Sequence, residues 1–329
     1  MGFGNVGRAF VALLLRKQQE LLKRHNLAWR ITGIASRRLG WLFAPEGFLP
    51  QALLGGQYAG AQTAKDIKTW LDSARADVLF ETTSLNQQTG QPAIDYLRAA
   101  LAYGAHAISA NKGPVVYGYR DLTELAARQS RRYLFESAVM DGVPIFSLFR
   151  ETMPAVEVQG FRGVLNSTTN VILDGLEVGL EFEQAVRKAQ DLGVAETDPA
   201  NDVDGVDAAV KVVALANVLM NAELTLDDVS RVGIREVRAR DIQEARRSGR
   251  VLRLVGSAKR VASRVAASVE PQWLEPGDPL ALVRGTSSAV SFETDVFPEL
   301  VITEQNPGLE ATAYGLLADL LTAVRSTAK

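Results

Sequence analysis

Five carboxylates, Glu196, Asp198, Asp202, Asp204 and Asp207, fall within one short stretch, and Lys211 follows four positions after the last of them. Asp207 and Lys211 at i and i+4 share one face of a helix, and that face is otherwise apolar through Val210, Ala214 and Val218. One or two of the acids suit the start of that helix, where negative charge meets the macrodipole. That leaves a lysine inside an apolar stripe to be explained. Carbonyl reduction would use it, because hydride arriving at carbon needs a proton donor at oxygen, and carboxylates beside it would hold a substrate ammonium. A calcium loop does not fit: aligning Gly205 with its turn glycine places Ala200 at the first ligand position and Lys211 where the bidentate glutamate belongs.

A second lysine, Lys112 in Ala110-Asn111-Lys112-Gly113-Pro114, follows a strand at the point where the crevice of a parallel sheet opens, although an ordinary loop lysine has the same signature. Asn166-Ser167-Thr168-Thr169-Asn170 reads both as the N-cap of a helix over Asn170 to Val178 and as a hydroxyl-rich loop that meets substrate. At the start of the chain Gly2-Phe3-Gly4-Asn5-Val6-Gly7 fits G-x-G-x-x-G, whose glycines allow a tight turn and close approach of backbone N–H groups to a pyrophosphate. Met1 alone precedes Gly2, so the strand that leads into such a turn is missing from this sequence. The expectation is a start at an internal methionine, with roughly 6–10 further apolar, β-prone residues upstream. Trp29 to Ala35 and Val78 to Glu81 would then flank an open slot unless another segment fills it; a tolerated N-terminus is the alternative. Ser36-Arg37-Arg38 stand where an NAD site places an acid for the ribose hydroxyl, so Arg37 and Arg38 favour NADP over NAD, with a solvated surface pair as the competing reading.

The elements that must hold these groups follow from periodicity. To about residue 140 the chain alternates helices (Gly7 to His25, Asp66 to Ser73, Pro92 to Tyr103, Arg120 to Arg131) with strands (Trp29 to Ala35, Val78 to Glu81, His106 to Ser109, Tyr133 to Glu136). This predicts an α/β fold, a doubly wound Rossmann-like parallel sheet. Beyond Pro144 come strand-like residues from Val156 to Leu165, helices over Asn170 to Val178, Phe182 to Leu192 and Asp207 to Met220, and strands over Val251 to Ser257, Arg264 to Val269, Ala289 to Glu293 and Leu300 to Thr303. They predict a second, α+β substrate and dimerisation domain with a mixed sheet. A helix over Thr312 to Ala323 returns to the first domain. The expected division is 1–137, completed by a C-terminal helical segment 305–329, and 138–304.

The 329 residues suit two domains, and 47% hydrophobic with 22% charged residues is ordinary globular composition. With 36 Lys and Arg against 38 Asp and Glu, the net charge of −2 gives nucleic acid or an anionic membrane no footing as partner. No cysteine and two histidines, His25 and His106, exclude disulfides, thiolate nucleophiles and Cys/His zinc sites. His106, within a strand, reads as structural. The apolar run Ala9 to Leu15 stops at Arg16-Lys17, short of the roughly 20 residues a membrane span needs. A cytoplasmic protein with a small-molecule substrate is expected.

Together these motifs resemble the homoserine dehydrogenase family over essentially the whole chain. The resemblance rests on Gly193-Val194-Ala195-Glu196-Thr197-Asp198-Pro199, on Asp202-Val203-Asp204-Gly205-Val206-Asp207 with Lys211, and on Ala110 to Pro114, Glu136 to Pro144, Asn166 to Leu173 and Arg284-Gly285-Thr286-Ser287 in the family order. It implies NAD(P)-dependent, reversible interconversion of L-aspartate 4-semialdehyde and L-homoserine. Lys211 would be the proton donor and acceptor, Glu196 and Asp207 the substrate-binding carboxylates, Lys112 a second lysine near cofactor and substrate, and Asp202 and Thr168 close to the substrate. Phe3, Asn5, Val6, Thr83, Gly193 and Gly308 would meet the nucleotide. Glu136, Val139, Asp141 and Val143 would supply a monovalent cation site, often sodium, mainly through backbone carbonyls. A homodimer is implied, and the length leaves no room for an appended threonine-sensing module. Ser167 departs from the glycine usual at its position, and Asn306-Pro307-Gly308-Leu309-Glu310 is a degraded glycine-rich turn. Another amino-acid or semialdehyde oxidoreductase of similar layout, or an inactive dinucleotide-fold binding subunit, is the rival reading.

Overall fold

The computed structural model describes residues 1–247 and 249–325. It divides into two units, Met1 to Phe146 with the chain from Gly308 onward, and Ser147 to Pro307. The first unit runs α1 (Asn5–His25), β1 (Gly33–Ser36), β2 (Gly40–Phe43), α2 (Pro50–Leu54), β3 (Gln62–Ala64), α3 (Ile67–Ala74), β4 (Val78–Glu81), α4 (Ala93–Tyr103), β5 (His106–Ser109), α5 (Lys112–Arg128) and β6 (Tyr133–Leu134). Strands β4, β5 and β6 form a parallel sheet with β5 in the centre, Val78 opposite His106 and Ala107 opposite Tyr133. All four residues of β5 are buried, as expected of a strand covered on both faces.

Helix α1 is closed by Asn26 in the left-handed conformation, and Lys23, Arg24 and His25 occupy its last turn, where positive charge suits the dipole. Its apolar face, Phe10, Leu13, Leu14 and Leu21, packs with Ile108 and Leu134 of the sheet and with Leu316, Leu317 and Leu320 of the C-terminal helix. That helix, expected over Thr312 to Ala323, runs longer, from Leu309 to Arg325.

Two expectations change here. The strand expected over Trp29 to Ala35 is confined to β1, which pairs antiparallel with β2 rather than joining the parallel sheet; β2 in turn pairs with β3. Gly40 (φ +68°) allows the tight turn that returns the chain, with Ser36 opposite Gly40. Neither β2 nor β3 was foreseen. Helix α5 begins at Lys112, well ahead of Arg120, because the Asn111 side chain accepts from the Gly113 N–H and Pro114 sits in the first turn, where its missing N–H is harmless. Lys112 is thus the first residue of a helix and not part of a loop.

Strands β1 and β4 do not pair with each other. Met1 and Gly2 lie between them: the Met1 amine donates to Phe80 O at 2.8 Å, Thr82 N–H to Met1 O at 3.0 Å, and Gly2 N–H to Ala35 O at 2.8 Å. Beside this pair is a cavity of about 570 Å³ lined by Leu14, Trp29, Ile31, Val78, Phe80 and Leu320. The Trp29 indole N–H is buried there without a hydrogen-bond partner.

The second unit runs β7 (Val158–Val164), α6 (Ser167–Glu177), α7 (Phe182–Asp191), α8 (Ala200–Val203), α9 (Val206–Leu219), β8 (Val229–Arg231), α10 (Ala239–Arg247), β9 (Val251–Val261), β10 (Arg264–Leu274), β11 (Ser288–Thr294) and β12 (Leu300–Glu304), before the C-terminal helix, α11. The sheet order is β12-β11-β7-β9-β10-β8, antiparallel except for the parallel β10–β8 pair, so it is mixed as expected. Helix α9 presents Val210, Val212, Val213 and Leu215 fully buried, and Gly256 of β9 lets it come close: a Cβ there would stand 2.6 Å from a Val212 methyl. Helix α6 starts at Ser167 rather than Asn170, because Asn166 Oδ1 accepts the Thr169 N–H at 2.8 Å. Its far end is tied to β9 through Arg253, 0% exposed, whose guanidinium meets Asp174 at 2.8 Å and Glu177 at 3.3 Å and donates to Val283 O at 2.9 Å.

Candidate active site

In the second unit three elements converge on the acidic motif. The N-terminus of α6 brings Asn166 and Thr168, α8 brings Asp202, and α9 brings Asp207 and Lys211. Asn166 Nδ2 donates to Asp202 Oδ1 at 2.6 Å and to Asp207 Oδ2 at 3.0 Å, so one amide bridges two carboxylates. Lys211 Nζ stands 3.3 Å from Asp207 Oδ2, both side chains about 15% exposed (15% and 16%), and also donates to Leu165 O. The Thr168 hydroxyl donates to Val194 O at 3.1 Å and lies within reach of Asp202. Burial pushes the Asp202 carboxyl above its ordinary range and the Asp207 charge adds to this, while Asn166, Thr168 and Lys211 oppose it. The result is an amine among carboxylates at a partly buried surface, an arrangement chemically able to pass a proton.

The other acids separate from this cluster. Asp204 pairs with Arg235 through two contacts, at 3.0 and 2.9 Å, and Asp198 accepts from the Ala200 N–H to open α8. Glu196 is exposed, and its backbone carbonyl, not its carboxylate, is engaged, by Gln190. Gly193 is exposed with φ +69°.

In the first unit the glycine-rich start folds as its spacing requires. Gly2 has φ +79°, and a Cβ on it would lie 2.5 Å from the Thr82 backbone, so no other residue fits. Gly4 precedes α1 without a side-chain cap, and a Cβ there would meet nothing nearer than 4.0 Å. The first-turn N–H groups of Asn5, Val6 and Gly7 have no partner within the helix, as at any helix start, which is where a phosphate binds. Arg8 lies over the Phe3 ring at 5.8 Å and donates to Leu53 and Leu54 carbonyls. Arg37 and Arg38 are exposed in the β1–β2 turn. Thr83 and Lys112 follow the carboxyl ends of β4 and β5, where ligand crevices of parallel sheets form. The glycine turn and the start of α1 have the local geometry that accepts the diphosphate of a dinucleotide.

Two family profiles cover the chain: that of the homoserine dehydrogenase NAD binding domain matches residues 2–136, and that of homoserine dehydrogenase residues 144–321. The chain belongs to the homoserine dehydrogenase family. It is 34% identical to the NAD(+)-dependent homoserine dehydrogenase of Pseudomonas canavaninivorans, over 98% of this chain and 94% of that one. With the homoserine dehydrogenase of Methanocaldococcus jannaschii it shares 33% identity over 100% and 98% of the two chains. A hyperthermophilic archaeal homoserine dehydrogenase in complex with NADPH superposes with a TM-score of 0.82 at 26% identity, covering 98% of this chain and 96% of that one. As a homoserine dehydrogenase family member, the chain is a nicotinamide-dinucleotide-dependent oxidoreductase acting on a CH–OH group of a small molecule.

Within that family reading, the segment after β6 holds the residues expected at a cation. Glu136 is buried, its carboxylate accepts from Phe146 N–H at 2.7 Å, and its own N–H donates to Asp319 at 2.8 Å. Asp141 (φ +43°) accepts from the Thr312 hydroxyl at 2.6 Å, and Val143 N–H donates to Met140 O at 2.8 Å. Val139 is buried. Among the described residues no three His, Cys, Asp or Glu side chains gather as a metal cluster, so any ion here would depend on backbone carbonyls. Gly308 is exposed just ahead of α11. His106 is structural: buried, it accepts the Arg132 N–H on Nδ1 at 3.0 Å. Among the described residues no helix is long and apolar enough to cross a membrane.

Sequence reasoning read the Asn166 to Asn170 segment as a cap and a substrate loop, and missed the bridge that Asn166 forms between Asp202 and Asp207. It also missed Glu81, which lies fully buried at the end of β4. An asparagine beside a hydroxyl run and a glutamate closing an apolar strand were the available signals.

Proposed function

We propose that the chain catalyses the reversible interconversion of L-aspartate 4-semialdehyde and L-homoserine, a step toward threonine and methionine, with Lys211 as proton donor. The observation that carries this reading is Lys211 held against Asp207 beneath the bridging Asn166 amide. Held at the glycine turn ahead of α1, a nicotinamide dinucleotide would supply hydride for the aldehyde carbon, or accept it from the alcohol carbon in the reverse direction. Lys211 gives a proton to the carbonyl oxygen as the new C–H bond forms and recovers it in reverse. Asp207 and Asp202 hold the substrate ammonium, Thr168 offers a hydroxyl near them, and Glu196 joins them only by turning inward from the exposed loop ahead of α8. Lys112 serves cofactor and substrate from the start of α5.

NADP is the preferred dinucleotide in this reading, because Arg37 and Arg38 stand where a 2′-phosphate would be met and no carboxylate follows β1. A monovalent cation such as sodium would sit at Glu136, Val139, Asp141 and Val143, stiffening that turn without entering the reaction. A homodimer in the cytoplasm completes the proposal.

The test is homoserine-dependent reduction of NAD and NADP at alkaline pH. Lys211→Ala removes turnover and leaves dinucleotide affinity nearly intact; a variant with normal kcat would overturn the assignment. Arg37→Glu with Arg38→Glu raises KM for NADP and spares NAD; equal effects on both would remove the basis for NADP.

A further inference from the structure

We propose that Glu81 is a positioning residue of the dinucleotide crevice: its buried carboxylate fastens together the loops that flank the glycine turn and so sets where Lys112 stands. The inference rests on the role proposed for Lys112. Glu81 closes β4 and is 0% exposed. Its Oε1 accepts from both the N–H (2.7 Å) and the hydroxyl of Thr83, and its Oε2 accepts from the Ser109 hydroxyl at 2.8 Å, at the end of β5. Ser109 Oγ accepts in turn from the Asn111 N–H at 3.0 Å. Asn111 then closes a ring, since its Nδ2 donates to Thr83 O at 3.3 Å while its Oδ1 accepts from Gly113 N–H at 3.0 Å and caps α5. On the other side Thr82 donates to Met1 O and, through its hydroxyl, to Gly2 O at 2.8 Å, which links the same strand end to the glycine turn.

Every donor that meets Glu81 in this ring expects an acceptor, and an ionised carboxyl is acceptor-only. A buried carboxylate is costly unless its oxygens are matched, and nothing in the apolar run Val78-Leu79-Phe80 calls for one on packing grounds. Its place is explained by the three donors from two loops. Glutamine would turn an amide donor either toward Thr83, whose backbone N–H cannot accept it, or toward Ser109, whose hydroxyl must then send its proton elsewhere, so in both cases a tie of the ring is lost. The loops would then separate, and Lys112, the residue after Asn111, would move with them.

The experiment compares wild type with Glu81→Gln and Ser109→Ala. It measures NADPH binding by fluorescence, kcat and KM with homoserine, and amide exchange at Thr83, Asn111 and Gly113. In Glu81→Gln, exchange at these three amides accelerates while β9 and β10 keep their protection. NADPH binds about 10-fold more weakly and kcat falls about 10²-fold, the scale of a displacement of about 1 Å at a reacting group. The KM for homoserine stays within about 2-fold. Ser109→Ala, which keeps the carboxylate and loses one tie, falls between. A purely structural role would lower the melting temperature while the folded enzyme kept wild-type NADPH affinity and kcat; that result, or unchanged exchange at the three amides, overturns the proposal. If wild type binds NADPH and does not oxidise homoserine, the proposed substrate fails, and the exchange and binding measurements still decide the role of Glu81.

Discussion

Replacing Asn166 with alanine deletes four hydrogen bonds that serve two purposes. Oδ1 accepts from the Thr169 N–H at 2.8 Å and its hydroxyl at 2.9 Å, which caps α6, and loss of such a cap costs about 1 kcal/mol. Nδ2 donates to Asp202 at 2.6 Å and Asp207 at 3.0 Å, and hydrogen bonds to charged groups contribute about 1.5–3 kcal/mol each. Asp207 retains Lys211 at 3.3 Å, so its loss lies at the low end. The sum is about 4–5.5 kcal/mol, and at roughly 2–4 °C per kcal/mol for a domain of this size the second unit should melt about 10–20 °C earlier. Asn166→Asp separates the two purposes, because it keeps the capping oxygen and turns the bridging donor into a third carboxylate facing Asp202 and Asp207. Both variants should lose at least about 10²-fold in kcat/KM for homoserine, since the Asp207–Lys211 geometry is no longer fixed. Asp202 adds a pH signature. With its folded pKa raised above 3.8, the folded state holds that proton more tightly than the unfolded chain, so its contribution to stability declines as pH rises from the unfolded value through the folded one. Asn166→Ala, which deletes a bond that lowers this pKa, steepens the decline. Thermal melts by circular dichroism across pH 3 to 7, beside steady-state kinetics, read both effects. An Asn166→Asp enzyme with wild-type melting temperature and kcat/KM would show that the amide does not organise the carboxylates.

Three further outcomes follow from the structure. Gly2→Ala must place a Cβ 2.5 Å from the Thr82 backbone at φ +79°, where left-handed strain alone costs about 1–2 kcal/mol, so fluorescence titration should find NADPH binding lost; normal affinity would mean that the glycine turn does not hold the dinucleotide. His106 is kept below its ordinary pKa by burial, with Arg131 and Arg132 adding to it, so its contribution to stability is fully present above about pH 6.5 and is lost as pH falls from there through its lower folded pKa. Urea melts of His106→Gln should show a flatter loss between about pH 7 and 5, and an unchanged slope would remove His106 as its source. Arg253→Met leaves Asp174 and Glu177 their contacts with Arg284 and should destabilise the second unit by about 3 kcal/mol, read by denaturant midpoint; a neutral result would mean that the buried pair contributes nothing net.

Local chemistry made much of this protein readable in advance. The i, i+4 spacing of Asp207 and Lys211 places them together on any helix, the glycine spacing at residues 2–7 dictates a turn that opens one, and the His106 to Ser109 segment reads as a strand of the parallel sheet. Element boundaries were less legible where a side chain outside the periodic pattern decides them. Asn111 and Asn166 each cap a helix that starts ahead of its apolar stripe, and the Arg37 to Gly40 turn draws β1 into an antiparallel hairpin.

The amino-acid sequence by itself determined which groups could do chemistry here: a lysine among carboxylates, a glycine cradle for a diphosphate, and the family order of motifs that joins them. Tertiary structure decided which of those groups meet. Asn166 reaches Asp202 and Asp207 across 36 and 41 residues of chain, Glu81 reaches Ser109 across 28, and Glu196, inside the same acidic motif, turns to solvent. Periodicity constrains neighbours within a turn or two of helix or strand, whereas these contacts depend on where whole elements pack, and that is set by the buried faces of α6, α9 and the sheets they pack with.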